Sequence, residues 1–254
     1  MREQIHEQLA RLRLRGIEAA LDAELDRAEA EGAPAAEVIW RLLATQEAHR
    51  REQSLAYRLT QAKLPWHWTL DSFPFDRQPG VDRSQIRALA GLDFLRRNEN
   101  ILLIGPPGTG KTGIAIALLR EACLNGHAGR FYNAQLLLDE LYASLADRST
   151  PKLLAQLARF QPMLIDELGY LTLKPEQSNA FFRPMDQRYG RVSTIITTNL
   201  LCGAPHNRFN AEFIVMQSPL VRGPDFALLL GLFSPHNGAG FKRGDQLICG
   251  LEAT

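Results

Sequence analysis

One stretch constrains this chain more than any other: ILLIGPPGTGKTGIAIALL, from Ile101 to Leu119. An apolar run stops at a knot of glycine and proline, a lysine follows, and an apolar run resumes. Gly105 to Thr112 matches G-x-x-x-x-G-K-[ST] in full. A strand-like segment before it and a helix-like one after supply context that a chance match lacks. Gly108 and Gly110 let successive backbone N–H groups turn inward with no Cβ in the way. With the N-terminus of a helix starting near Lys111, those groups form a cradle for a β-phosphate. The motif therefore assigns Gly105, Pro106, Pro107, Gly108, Thr109, Gly110, Lys111, Thr112 and Gly113 to nucleotide binding. Lys111 brings a cation to the β- and γ-phosphates, and Thr112 offers a hydroxyl to Mg²⁺. The bland alternative is a glycine turn between strand and helix.

A phosphate loop alone says only that a nucleotide binds. Hydrolysis needs an acidic partner, and MLIDELG, Met163 to Gly169, is an apolar strand ending in Asp166-Glu167. Asp166 suits a Mg²⁺ held through water. Glu167 suits a base that polarises the attacking water. Two adjacent carboxylates ending a buried strand are costly without a cation to face; a helix N-cap is the alternative. STIITTNL, Ser193 to Leu200, is a β-branched strand ending in Thr198-Asn199. A polar side chain at the tip of the strand beside the acidic one is placed to sense a γ-phosphate. Asn199 fits, since its amide both donates and accepts.

These motifs sit in an alternating pattern. A helix over Arg83–Leu95 precedes a strand at Asn100–Ile104, then the loop and a helix over Lys111–Leu124. A strand near Arg130–Tyr132 and helices near Ala134–Leu145 and Pro151–Phe160 follow. Strand Met163–Asp166, helix Glu176–Tyr189 and strand Ser193–Thr198 complete the pattern. Such alternation predicts an α/β fold, a parallel sheet with helices on both faces. Pro184 should kink or split its helix.

Residues 1–64 read as helices, with Ile5, Leu9, Leu12, Ile17 and Leu21 at helical spacing. A break comes at Glu31-Gly32-Ala33-Pro34, and a second run covers about Ala35–Lys63. Its Arg41, Arg50, Arg51, Arg58 and Lys63 make either a solvated face or a DNA-contacting one. Leu64–Gly80 is rich in proline and aromatics. Trp66, Trp68, Phe73 and Phe75 point to a connector packed on the next domain, with base stacking as the rival reading.

Composition excludes several classes. No segment reaches the apolar length of a membrane span, and the first residues lack the apolar core of a signal peptide. Cys123, Cys202 and Cys249 have no CxxC spacing, and the six histidines have no ligand spacing. A cytoplasmic protein without a disulfide or zinc framework is expected. Net charge of +1 leaves nucleic acid open.

With these motifs in place, the chain resembles the AAA+ ATPases of the IstB/DnaC type, closest to the transposition helpers of insertion sequences. The segments LRLRGIEAAL, LDSFPFDRQPGVDRSQIRAL, FLRRNENILLIGPPGTGKT, LIDELGYLTLKPEQSNAFF and MDQRYGRVSTIITTNL carry the likeness over about residues 1–200. The resemblance implies a P-loop AAA+ core (69–200) behind a small helical N-terminal domain (1–68). It implies an ATP- and Mg²⁺-dependent ATPase that assembles as a homo-oligomer on double-stranded DNA and assists a partner transposase. Lys111, Glu167 and Asn199 would be catalytic, and Thr112 and Asp166 would hold the metal. Two alternatives stand beside it: a helicase loader in replication, and a non-hydrolysing nucleotide-gated DNA-binding protein. Arg188 and Arg191 could face DNA, a neighbouring subunit or solvent.

Two departures matter. The family usually continues from its phosphate loop with histidine and leucine, where Gly113 and Ile114 stand. Past Leu200, the arginine-bearing helix that the family supplies to a neighbour's γ-phosphate is not recognisable; Arg208 and Arg222 lie in no motif. Residues 201–254 hold 7 glycines and 4 prolines, against 12 and 10 in the first 200, roughly twice the density of breakers. A displaced reading frame or a replaced tail is expected there, and with it weaker hydrolysis.

Overall fold

The computed structural model describes residues 1–78, 80–168, 175–188, 190–199 and 214–218. Arg208, Arg222, Cys202, Cys249 and the apolar run 226–233 lie outside these residues.

Three helices open the chain: α1 (Arg2–Arg11), α2 (Arg15–Glu31) and α3 (Ala35–Ala62). Leu9, Ile17 and Leu21 meet in a small core that Leu14, Leu25 and Leu42 flank. The helical spacing of Ile5 and Leu12 does not carry them into it, and both are exposed. The expected break falls at the left-handed cap Gly32. Helix α3 is 28 residues, about 42 Å. It packs on α2 and then on α6 (Lys111–Leu124) and β2 (Arg130–Asn133). Arg58 Nε donates to the Cys123 carbonyl at 3.0 Å, and an Arg130 N–H donates to the Gln61 carbonyl at 2.7 Å. The N-terminal helices are thereby pinned to the helix that begins at the phosphate loop.

The connector packs as its aromatics suggest, with one exception. Phe73 is buried in the same core as Ile114, and Trp68, Leu70 and Phe75 pack against that core. Trp68 and Phe75 meet Phe73 edge-on, at 6.3 and 4.8 Å between centroids. Trp66 instead lies 56% exposed. The single helix expected over Arg83–Leu95 is two: α4 (Arg83–Ala90) and α5 (Asp93–Arg96). Asp82 caps α4, accepting from the Ser84 and Gln85 amides at 2.8 and 3.2 Å. Leu92 takes φ +60° between the helices and buries its side chain, as do Phe94 and Leu95. Burial of three apolar side chains outweighs continuity of the helix.

The remaining elements are β1 (Asn100–Ile104), α7 (Ala134–Ala146), α8 (Thr150–Leu157), β3 (Met163–Asp166), α9 (Pro175–Arg188), β4 (Thr194–Thr198) and β5 (Ile214–Ser218). The strands form one sheet in the order β2-β3-β4-β1-β5. The first four are parallel, with Ile101 opposite Ile195 and Leu164 opposite Ile195. β5 runs antiparallel on the outer edge of β1, an addition to the expected parallel sheet. Ile101 and Leu103 point into the core beneath α6, while Leu102 and Ile104 point into the one beneath α7, α8 and α9. That alternation follows from the two-residue strand period and puts helices on both faces.

Two expectations in this region change. Of the two outcomes expected at Pro184, the split does not occur: helix α9 runs through it as one element. Packing holds the helix on both sides of Pro184: Phe181 is fully buried, and Arg188 is anchored. Arg188 faces neither DNA nor solvent, being 1% exposed. It donates to the carbonyls of Leu157, Phe160 and Ser193 at 2.6, 2.8 and 2.6 Å, and to Thr194 Oγ1 at 3.1 Å. Carbonyls left over at the end of α8 need donors, and the guanidinium supplies them. Burial pulls this guanidinium down to about 10. Arg191 is exposed.

Candidate nucleotide site

The carboxyl ends of β1, β3 and β4 bring the three sequence motifs together. Such a crevice is where parallel α/β sheets bind ligands. The phosphate loop leaves β1 at Gly105, whose N–H donates to the Thr198 carbonyl at 3.3 Å. It turns through Gly108 (φ +81°) and Gly110 (φ +85°) into α6. Gly110 is required twice over. Its φ lies where side chains are strained, and an added Cβ would lie 2.5 Å from Phe73 Cζ. Gly113 is less constrained, since a Cβ there would make ordinary 3.6 Å contacts with Trp68 and Phe73.

Inside the loop, Pro106 O accepts from Lys111 Nζ at 2.7 Å and from Thr109 Oγ1 at 2.9 Å. The Lys111 ammonium thus folds back on its own loop. Burial draws its pKa down, and the Asp166 carboxylate partly opposes this. A half-buried cation short of anions is the electrostatic counterpart of a phosphate.

Thr112 and Asp166, 54 positions apart, are in direct contact: Thr112 Oγ1 donates to Asp166 Oδ1 at 2.8 Å. Thr197 Oγ1 donates to the same oxygen and accepts from the Glu167 N–H at 3.0 Å. Asp166 is buried, whereas Glu167 is exposed. Glu167 takes φ +62°, an uncommon conformation for a side-chain-bearing residue and one that clusters at functional sites. Asn199, directly after β4, keeps a buried Oδ1 with no hydrogen-bond partner among the described residues. An orphaned acceptor at this place has room for a donor.

The chemistry of the donors fits Mg²⁺. Asp166 and Thr112 are hard oxygen ligands side by side, and Mg²⁺ is commonly held by one or two carboxylates together with substrate phosphates. Among the described residues no cluster of three or more His, Cys, Asp or Glu could hold a metal by protein ligands alone.

Two residues escaped the sequence reading. Thr197, rather than its neighbour Thr198, ties Asp166 to Glu167. Asn133, at the end of β2, donates from Nδ2 to Glu167 Oε2 at 3.2 Å. Its Oδ1 caps α7, accepting from the Gln135 and Leu136 amides at 3.0 and 3.4 Å. An asparagine before a helix makes an ordinary N-cap, and nothing in the local sequence marks the second task. The basic row proposed on α3 is largely spent internally. Arg41 is bonded to Glu24, Glu31 and Glu37, Arg51 to Glu47, and Arg58 to Cys123 and Ser54.

Residues 7–217 match the family described as IstB-like ATP binding protein. The chain is 36% identical over 191 residues to the ATP-binding protein of insertion sequence IS21 from Pseudomonas aeruginosa, covering 75% of this chain and 72% of that protein. It is 34% identical over 199 residues to the corresponding protein of insertion sequence IS5376 from Geobacillus stearothermophilus, covering 78% and 79%. Among solved structures, the DnaC helicase loader superposes with a TM-score of 0.48 at 26% identity, over 67% of this chain and 91% of that one. AMPPCP-bound DnaA from Aquifex aeolicus gives a TM-score of 0.48 at 19% identity, over 54% of this chain and 44% of that one. No helix among the described residues is long and apolar enough to cross a membrane.

Proposed function

Since the chain belongs to the IstB-like ATP-binding protein family, we propose that it is the ATP-hydrolysing helper of an insertion sequence. In this reading it binds ATP with Mg²⁺, assembles with copies of itself on double-stranded DNA, and assists a partner transposase. The observation that carries the ATPase part is the contact of Thr112 with Asp166 at 2.8 Å beside Lys111, with Glu167 next in the chain.

Thr112 and Asp166 would hold the Mg²⁺, which would offset the charge on the β- and γ-phosphate oxygens. Loop amides from Gly108 to Gly113 cradle the phosphates. Lys111 leaves the Pro106 carbonyl for the phosphates and regains a partner for its charge. Glu167 accepts a hydrogen bond from the attacking water, and Asn133 and Thr197 hold this glutamate in place. Asn199 orients the same water or the γ-phosphate through its amide. Subunit contacts set by bound ATP would stabilise the DNA-bound assembly, and hydrolysis would release it.

Nucleotide affinity, turnover and DNA-bound assembly measured on Lys111→Ala and Glu167→Gln test the reading. Lys111→Ala should lose ATP affinity and assembly; wild-type values in both would refute the site. Glu167→Gln should bind ATP, fail to turn over and stay on DNA. Wild-type release would refute the role of Glu167. Imaging of the protein on a short duplex, with and without ATP, tests the assembly.

A further inference from the structure

The N-terminal helices contain nine arginines in residues 1–62. Five are engaged: Arg2, Arg27, Arg41 and Arg51 pair with carboxylates, and Arg58 bonds the Cys123 carbonyl and Ser54. The other four make no side-chain hydrogen bond or ion pair among the described residues: Arg11, Arg13, Arg15 and Arg50, all exposed. These four sit at one place.

The first three span the turn from α1 to α2. That turn is seated on α3 beside Arg50. Gln46 Oε1 accepts from the Gly16 and Ile17 amides at 3.0 and 3.2 Å, capping α2 from a neighbouring helix. A Cβ on Gly16 would lie 2.8 Å from His49 Cβ, so the approach is close. Arg50 follows His49 and lies one turn beyond Gln46, on the same side of α3.

The turn itself is built with an arginine where glycine is favoured. Leu14 N–H donates to Leu9 O at 2.9 Å and Arg13 N–H to Ala10 O at 3.0 Å, with Leu14 packed by Leu9. This is a Schellman cap, whose left-handed residue is usually glycine. Here it is Arg13, at φ +58°. No described residue bonds its guanidinium, so among these residues the strain serves no internal contact.

From this juxtaposition we infer that Arg11, Arg13, Arg15 and Arg50 form a contact for the phosphate backbone of double-stranded DNA. The inference rests on the reading that the protein assembles on duplex DNA, and assigns where each protomer touches it. Guanidinium groups match phosphate oxygens in a two-point fork. Nearby carboxylates offer little competition. Glu47 is held by Arg51, leaving Glu7 and Glu18 as the acids closest in sequence to the turn. Leu12 is the single exposed apolar side chain of the turn, too little for the apolar centre of a protein interface. The paired arginines of α3, by contrast, have no charge to spare.

The test is duplex affinity with ATP present, followed from about 50 to 200 mM salt. The variants are Arg13→Gly, the triple Arg11→Gln/Arg13→Gly/Arg15→Gln, and, as a control, Arg27→Gln, whose pair with Glu31 lies at the far end of α2. Arg13→Gly relieves the backbone, so its Tm should equal or exceed that of the wild type while duplex affinity falls. The dependence of log affinity on log salt should flatten by about 0.9 per protomer in Arg13→Gly and about 2.7 in the triple. Arg27→Gln should keep the wild-type slope, and all variants should bind ATP normally. A triple variant with wild-type slope would overturn the inference while leaving duplex assembly standing. So would a triple variant that loses transposase capture but keeps the duplex slope, since the patch would then meet protein. A lower Tm in Arg13→Gly would make Arg13 structural and also overturn it. A wild type that fails to bind duplex would refute duplex assembly itself, and the inference with it.

Discussion

Replacing Asn133 by serine should leave α7 capped while releasing Glu167. The Asn133 side chain performs the two tasks with different atoms: Oδ1 accepts from the Gln135 and Leu136 amides, and Nδ2 donates to Glu167 Oε2 at 3.2 Å. Serine caps helices about as well as asparagine, and alanine loses about 1 kcal/mol at such a site. In a chain of this size that is roughly 2–4 °C in Tm. Asn133→Ala should therefore melt about 2–4 °C lower, and Asn133→Ser within about 1 °C of the wild type. A serine hydroxyl has one short arm and cannot both serve the helix amides and reach Glu167. Both variants should lose the tether equally. Because Glu167 is exposed, the tether is discounted for solvent screening and corresponds to roughly a five-fold loss in kcat, with KM for ATP unchanged. Thermal unfolding and phosphate release at saturating ATP and duplex measure the two effects on the same samples. A serine variant with wild-type turnover would show that the contact to Glu167 is incidental. Turnover falling in proportion to Tm would show that only the cap matters.

Three other outcomes follow from the same geometry. Lys111→Met should not lower the Tm of the nucleotide-free protein, since burial already disfavours the ammonium; the Tm rise on adding saturating ATP should vanish, and its persistence would refute the role of Lys111. Gly110→Ala meets both a φ of +85° and the Phe73 ring, and should weaken ATP binding roughly ten-fold. Adding Phe73→Ala should recover part of that loss, and strictly additive effects in nucleotide titrations would contradict the collision. Arg188→Met takes a donor from three carbonyls, of which those of Leu157 and Ser193 keep a backbone N–H and that of Phe160 keeps none among the described residues, and should cost about 2 kcal/mol in denaturant unfolding; a neutral result would mean that the helix end finds other donors.

Much of the site was legible because its signals are local. The phosphate loop is eight consecutive residues between a strand and a helix, and each acidic or polar tip directly ends a β-branched or apolar run. The same locality exposes the break at Gly32. What was not legible depends on approach between distant segments. Leu92 interrupts a helix because its neighbours are buried together. Arg188 reads as a surface charge until α8 presents carbonyls to it. Arg41 and Arg51 read as a basic row until their carboxylate partners are placed beside them.

The sequence by itself determined that a triphosphate-binding loop, an acidic strand tip and a polar strand tip exist, and that strands alternate with helices around them. Backbone conformational limits and hydrophobic period settle those features within a few residues. Only the tertiary structure decided that Thr112, Asp166 and Thr197 share one oxygen, that Asn133 reaches Glu167, and that four arginines without partners among the described residues gather where the α1–α2 turn is seated on α3. Hydrogen bonds and ion pairs span only a few ångströms, so which groups are matched and which remain free follows from strand order and helix packing.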